Sequence, residues 1–419
     1  MPFSQLHKEL DERAAQGLLR RRRTLETPQG VRIRVDGADY LSFCSNDYLG
    51  LAKHPALSAA LQQGAQQWGA GAGAAHLVSG HFAPHHELER QLAAFLGKPA
   101  ALLFSTGYMA NLGVVQALAG KDDTVFADKL NHSSLNDAML LSRAAVKRYR
   151  HNDMAQLAQL LEQTPHGRKL VITDAVFSMD GDLAPLPELL DLCEQHDAWL
   201  LVDDAHGFGV LGAQGRGSLA HFGMQEHDHP PPCRGREGVE DYDSQGLHPH
   251  PSLPPARGKG GARIIYMGTL GKGAGVSGAF VAAEQVVIDT LVNHARSYVY
   301  TTASPPALAV ALLASLQLIE QGDALRMHLQ QLIAQLKQGL ADLPWALMPS
   351  DTAIQPLLVG DNERALQLSN ALRERGIWVA AIRPPTVPQG TARLRITLSA
   401  AHTAADVEQL SEALHALAR

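Results

Sequence analysis

The sequence predicts an α/β protein, with a large domain on a mostly parallel sheet and a smaller C-terminal α/β unit. Three observations carry this. From about Ala100 to Asp203, short apolar runs alternate with helically periodic stretches, the pattern of buried strands joined by crossover helices. At 419 residues the chain is longer than one small core supports, so a second unit is expected. Long helical stretches after residue 300 then lead into a unit beginning around Leu343, whose loop Arg383–Pro388 precedes the strand-like run Ala392–Leu398. The expected division is an N-terminal helix and hairpin at 1–50, a large domain at 51–300, connecting helices at 301–342 and the small domain at 343–419.

The elements follow in order. Leu6, Leu10 and Leu18-Leu19 recur at roughly helical spacing, so an amphipathic helix is expected to end near Arg20–Arg23, where cations suit the helix dipole. Val31–Val35 and Tyr40–Phe43, joined through Asp36-Gly37, read as a hairpin leading into the turn Ser45–Gly50. A helix near Pro55–Trp68 precedes the glycine-rich run Gly69–His81. That run lacks the Walker lysine and follows no clear strand, which disfavours a nucleotide loop. Strands are expected at Ala100–Phe104, Thr124–Ala127, Val146–Tyr149, Leu170–Thr173, Trp199–Val202 and Arg263–Met267. Helices are expected near Met109–Leu118, Ser134–Ser142, Met154–Leu161 and Pro187–His196. The turn Ser105-Thr106-Gly107-Tyr108 joins strand to helix, so its N–H groups face an anion at a helix N-terminus. In Leu130–Ser134, Ser133 or Ser134 fits an N-cap, and His132 could be an ordinary turn histidine.

Two stretches carry chemistry. Lys272 sits in Gly268–Gly278 with no acidic neighbour to hold it protonated, so shielding from water would make it a neutral, nucleophilic amine. A surface lysine in a flexible glycine loop would look the same. The balance is tipped by Trp199–Gly207, an apolar run ending abruptly in Asp203-Asp204, with His206 just beyond. One aspartate of such a pair often serves as a turn or cap residue. A pyridine aldehyde cofactor needs an amine for its aldehyde, a carboxylate for its ring nitrogen and a polar partner for its ring oxygen. Lys272, Asp203 and His206 are of the right types.

With Ser105–Asn111 upstream, these stretches resemble the α-oxoamine synthases, pyridoxal phosphate enzymes of the aspartate-aminotransferase type. The resemblance runs from the N-terminal arginines to Ala400–Thr403. It implies the type I fold of pyridoxal phosphate transferases, with a seven-stranded, mostly parallel sheet. It implies pyridoxal 5'-phosphate held by Gly107, Tyr108, His132, Ser178, Asp203, His206, Thr269 and Lys272. Thr301 would reach the phosphate in the neighbouring subunit of a homodimer with shared active sites. Lys272, His132 and Asp203 would be catalytic, and Arg20, Asn46, His132, Arg383 and Thr386 would contact substrate. Any of Arg20–Arg23 could fill the first of those places.

Glycine- and serine-using relatives carry an aliphatic or aromatic residue and Pro-Val where this chain has Arg383-Pro384-Pro385-Thr386. An arginine there suits the free carboxylate of a pimeloyl chain. The resemblance therefore implies a decarboxylative condensation of L-alanine with a pimeloyl thioester, on coenzyme A or an acyl carrier protein, in biotin synthesis. The alternatives are a member resembling glycine C-acetyltransferase, or a non-catalytic subunit of this fold. The retained lysine speaks against the second.

Composition narrows the rest. A net charge of −6 disfavours a nucleic-acid surface, and no segment is apolar enough to span or enter a membrane. Cys44, Cys193 and Cys233 are widely spaced and odd in number, which implies no disulfide framework. The first ten residues lack the apolar core of a signal peptide, so a cytoplasmic location is expected. Residues 227–261 are rich in Pro, Gly, His and charge, and they read as an exposed or disordered insertion. Their histidines match no standard zinc spacing, and no metal is expected.

Overall fold

The computed structural model describes residues 2–16, 18–20, 22–224 and 261–419. The expected insertion, all but Gly261, lies outside these residues.

The alternation between Ala100 and Asp203 folds as strand–helix units whose strands are buried on both faces, except at the sheet edge, Ala145–Tyr149, where only Tyr149 is buried. The chain runs through α1 (Ser4–Ala15), β1 (Arg32–Val35), β2 (Ala38–Ser42), α2 (Pro55–Trp68) and α3 (Ala83–Leu96). It then enters β3 (Ala100–Phe104), α4 (Gly107–Leu118), β4 (Thr124–Asp128), α5 (Ser133–Ser142), β5 (Ala145–Tyr149), α6 (Met154–Glu162), β6 (Lys169–Asp174), α7 (Leu186–Gln195) and β7 (Ala198–Asp203). The short α8 (Ser218–His221) precedes β8 (Ile264–Thr269) and β9 (Ala279–Ala283). Then come α9 (Gln285–His294), α10 (Arg296–Val299), α11 (Pro306–Glu320) and α12 (Asp323–Gly339). The C-terminal part comprises β10 (Ala346–Leu347), β11 (Ile354–Gly360), α13 (Asn362–Glu374), β12 (Ile377–Trp378), β13 (Ala380–Ile382), β14 (Ala392–Thr397) and α14 (Ala404–Ala418).

The main sheet has seven strands in the order β3-β9-β8-β7-β6-β4-β5. All neighbours are parallel except β9, which runs antiparallel to both β3 and β8. This is the type I fold of pyridoxal phosphate transferases that the sequence implies. One face packs Leu88, Leu92 and Leu316 over the strands, and the other packs Val114, Leu135 and Leu291. Parallel strands bring their carboxyl ends to one edge, so Asp128, Asp174 and Asp203 finish there together, with Asp174 paired directly against Asp203. Ligands of open α/β sheets bind outside that edge.

The hairpin forms through Asp36 and Gly37, both at positive φ (48° and 81°), as a two-residue turn of this kind requires. Its strand β2 pairs parallel with β12, and Leu41 and Phe43 join the core of the C-terminal unit. That unit's own sheet runs β10-β11-β14-β13. The N-terminal helix differs from its expectation. It stops at Ala15, before the arginines, and buries none of its residues. Leu6 and Leu10 are exposed because nothing among the described residues covers their stripe, while Leu18 and Leu19 lie half-buried past its end.

A half-buried ion triad anchored on the buried Asp128 ties the carboxyl edge. His151 bonds Asp128 through Nδ1 at 3.1 Å and Asp182 through Nε2 at 2.7 Å. Burial opposes the charged ring, but the bonds to Asp128 and Asp182 outweigh it and raise the His151 pKa to about 10. A folded-state pKa above the unfolded one stabilises fully below pH ~6.5, and that contribution disappears as pH rises toward 10. Urea denaturation is therefore expected to show stability falling between pH 7 and 10. His151→Gln should remove that part of the slope and cost about 2–4 kcal/mol at pH 6. An unchanged slope in the variant would refute the triad's role.

Candidate active site

Asp203 closes β7 and is nearly inaccessible to solvent. Its Oδ2 accepts from Asn111 Nδ2 at 2.7 Å, and its Oδ1 accepts from Ala205 N at 3.0 Å. A carboxylate has about four lone-pair sites, so acceptor capacity remains for a ligand N–H. Asn111 projects from α4 and also donates to Ser134 Oγ at 2.9 Å. Asp204 turns the other way. It takes bonds from Ser218 N, Ser218 Oγ and Tyr266 Oη, and burial raises its pKa to about 6. Of the pair, Asp204 has the structural role and Asp203 faces the site.

Lys272 lies on the turn after β8, half-buried, with Nζ 2.9 Å from His206 Nε2. His206 Nδ1 is 2.5 Å from the buried Tyr48 hydroxyl. Burial lowers the Lys272 pKa, and Arg395 lowers it further against the pull of Asp203 and Asp174. Burial, then the charges of Lys272, Arg395 and His132, push His206 well below its ordinary value. A neutral imidazole between an amine and a phenol can pass a proton along Lys272–His206–Tyr48.

His132 caps α5, its Nδ1 facing Ser134 N at 3.3 Å and Ser134 Oγ at 2.7 Å. The cap expected of Ser133 or Ser134 is thus supplied by the histidine, because a β-type backbone at His132 aims its ring back over the first turn. Its own N–H donates to Asp174 Oδ2 at 2.6 Å. The ring opens onto the cleft, yet the protein packed around it lowers its pKa. Burial and Asp203 hold Asp174 well above the usual carboxylate range.

Thr106 caps α4 through Met109 N at 3.2 Å, which leaves the N–H groups of Gly107 and Tyr108 without an intrahelical partner. A Cβ at Gly107 would stand 2.7 Å from Thr269 Cγ2, so only glycine lets β8 approach this helix start. Tyr108 is partly exposed, its hydroxyl bonded to Asp137. Thr269 Oγ1 donates to Ala205 O at 3.2 Å.

Arg395 is buried in β14 and reaches the same cleft. It donates from Nε to Ser178 O at 2.6 Å, to Asn46 Oδ1 at 3.3 Å and to Thr397 Oγ1 at 3.0 Å. Ser178 and Asn46 therefore meet at one guanidinium. A second group forms at the C-terminal loop. Arg20 Nη2 donates to Thr386 Oγ1 at 3.3 Å, and burial together with the Arg20 charge lowers the Arg383 pKa. Thr301 stands apart from both groups, on the bend after α10, and makes no hydrogen bond among the described residues. That segment is fixed by Ala303 N donating to Ala74 O at 2.9 Å.

The sequence reading missed Arg395, Tyr48, Asn111 and Asp174. Only Arg395 had a visible signal: the strand Ala392–Thr397 places arginines at 393 and 395 within an otherwise apolar alternation, an unusual content for a buried strand. Arg393, equally buried, ties Asp180 and Met179 O to this unit.

The donor set fits a phosphorylated pyridine aldehyde: free N–H groups at a helix start, a carboxylate with spare acceptor sites, and an amine of lowered pKa. Comparison with known proteins agrees. The family profile "Aminotransferase class I and II" matches residues 38–414. The 8-amino-7-oxononanoate synthase of Nitrosomonas europaea is 57% identical over 417 residues, covering 100% of both chains. That of Nitrosospira multiformis is 58% identical over 414 residues, covering 99% of this chain and 96% of its own. A serine palmitoyltransferase from S. paucimobilis with bound PLP-myriocin aldimine superposes with TM-score 0.85 at 27% identity, over 99% of this chain and 96% of that one. The 8-amino-7-oxononanoate synthase of Francisella tularensis superposes with TM-score 0.72 at 28% identity, over 90% and 97%.

Proposed function

The chain belongs to the class I and II aminotransferases and, within them, to the 8-amino-7-oxononanoate synthases of the biotin pathway, and from that premise we propose which substrates it takes and which residues handle them. It joins L-alanine to a pimeloyl thioester, releasing carbon dioxide and the free thiol carrier. The observation that carries the acyl choice is the convergence of Arg20, Arg383 and Thr386. Two guanidiniums brought together favour an anion between them, and the distal carboxylate of a pimeloyl chain is such an anion.

When bound, pyridoxal phosphate supplies the electron sink for a carbanion at the α-carbon of alanine. Gly107 and Tyr108 N–H, with Thr269, would hold its phosphate, and Asp203 would keep its ring nitrogen protonated. His132 would lie against the ring, and Ser178 would border it. Lys272 would hold the aldehyde carbon, and its amine takes the α-proton at Nζ. His206 neighbours that amine and relays to Tyr48. Arg395 with Asn46 receives the alanine carboxylate. A homodimer in the cytoplasm is part of the same reading, with Thr301 serving the neighbouring subunit's phosphate site.

The test is a product assay with L-alanine and either pimeloyl or heptanoyl thioester, which differ only in the distal carboxylate. Arg383→Leu is expected to lower kcat/KM for the pimeloyl donor about 100-fold and to leave the heptanoyl donor nearly unchanged. Equal losses would refute the clamp. Turnover of glycine with a short acyl donor in place of alanine would refute the substrate assignment.

A further inference from the structure

Outside the active site, a group of ligating side chains among the described residues lies where the run after Gly73 turns into α3. His81 comes from the turn, while His86 and Glu89 stand one helical turn apart on α3. One ligand atom from each lies within 4.8 Å of the other two. We propose that His81, His86 and Glu89 bind a divalent transition-metal cation of the zinc type.

Two features of the group go beyond proximity. First, His81 Nε2 and Glu89 Oε2 are 3.8 Å apart. That is too long for a hydrogen bond, yet near the separation of two donors on one ion with bonds of about 2.0–2.2 Å. Second, both groups are oriented from behind. His81 Nδ1 lies 3.0 Å from His76 Nδ1, and Glu89 Oε1 accepts from Leu103 N at 2.9 Å. Outer partners of this kind fix ring and carboxylate around metals. When His81 Nδ1 donates to His76, the Nε2 lone pair is left facing the carboxylate, and a cation resolves that contact.

His85 stands close by but is not a ligand. Its Nδ1 accepts from Phe82 N at 3.1 Å, which places its proton on Nε2. Three protein donors leave a coordination position open to the adjoining cavity of about 1370 Å³, which His81, His86 and Glu89 line. Imidazole and carboxylate together favour zinc, nickel or cobalt over magnesium.

The experiment is calorimetric titration of the holoenzyme with zinc chloride, with magnesium chloride alongside. One zinc per chain is expected, and no magnesium. His86→Ala and Glu89→Gln should each weaken zinc about 100-fold, and His76→Gln, which removes the ring behind His81 Nδ1, about 10-fold. Folding of each variant is checked by circular dichroism. A variant with His227, His229, His248 and His250 all changed to alanine separates the histidines of the insertion, and it should keep the zinc. Absence of zinc binding, or its loss in that fourfold variant with His86→Ala unaffected, would overturn the proposal.

Discussion

Lys272→Ala is expected to end product formation, with kcat reduced about 10⁴-fold or more. In the proposed reaction the amine has two duties, holding the cofactor and moving the α-proton of alanine, and no other amine bonds into the relay with His206 and Tyr48 among the described residues. Burial lowers the Lys272 pKa, which favours the neutral amine. Lys272→Arg gives the sharper test. It restores size and charge but cannot lose its proton in a protein, so it should be as inactive as alanine. Steady-state rates, with borohydride reduction and mass analysis to detect covalently held cofactor, separate loss of chemistry from loss of binding. Residual turnover above about 1% in either variant would contradict a role for Lys272 as the base.

What the sequence disclosed about this site follows from how local each signal is. Lys272 sits in a glycine run and Asp203 at the mouth of an apolar run, and both signals fit within a dozen residues. The parallel sheet was legible for the same reason, because its inner strands are short apolar segments, although the edge strand β5 carries Lys147 and Arg148. The strand β9, Ala279–Ala283, was missed, since its alanine-rich run directly abuts α9 with no turn residues to bound it. Arg395 and Asn46 are separated by 349 positions, and Tyr48 and His206 by 158. No periodicity can announce a contact of that kind. It exists only because the fold joins distant segments, as when β2 pairs with β12 and carries the turn Ser45–Gly50 onto the C-terminal unit. The assignment of Asp203 and Asp204 needed coordinates as well, since only the partners Ser218 and Tyr266 show which one turns inward.

Arg395 gives the second large effect. Its bonds go to three neutral acceptors, Ser178 O, Asn46 Oδ1 and Thr397 Oγ1, so a buried cation holds no carboxylate among them. Its charge nevertheless lowers the pKa of Lys272 and of His206, which places it within electrostatic reach of the reacting amine. A buried guanidinium without an anion is costly, and a carboxylate arriving with the amino acid substrate completes the pair. Charge-assisted bonds of this type contribute roughly 1.5–3 kcal/mol each. Arg395→Lys retains the charge and loses the fork, so KM for L-alanine should rise about 100-fold while KM for the pimeloyl thioester moves little. The opposite split, a raised KM for the acyl donor with alanine unaffected, would transfer Arg395 to the acyl chain. It would also leave the Arg20–Arg383 pair without its assigned ligand. The same kinetics therefore test both ends of the proposed substrate path, because a single cleft cannot give one carboxylate to two clamps.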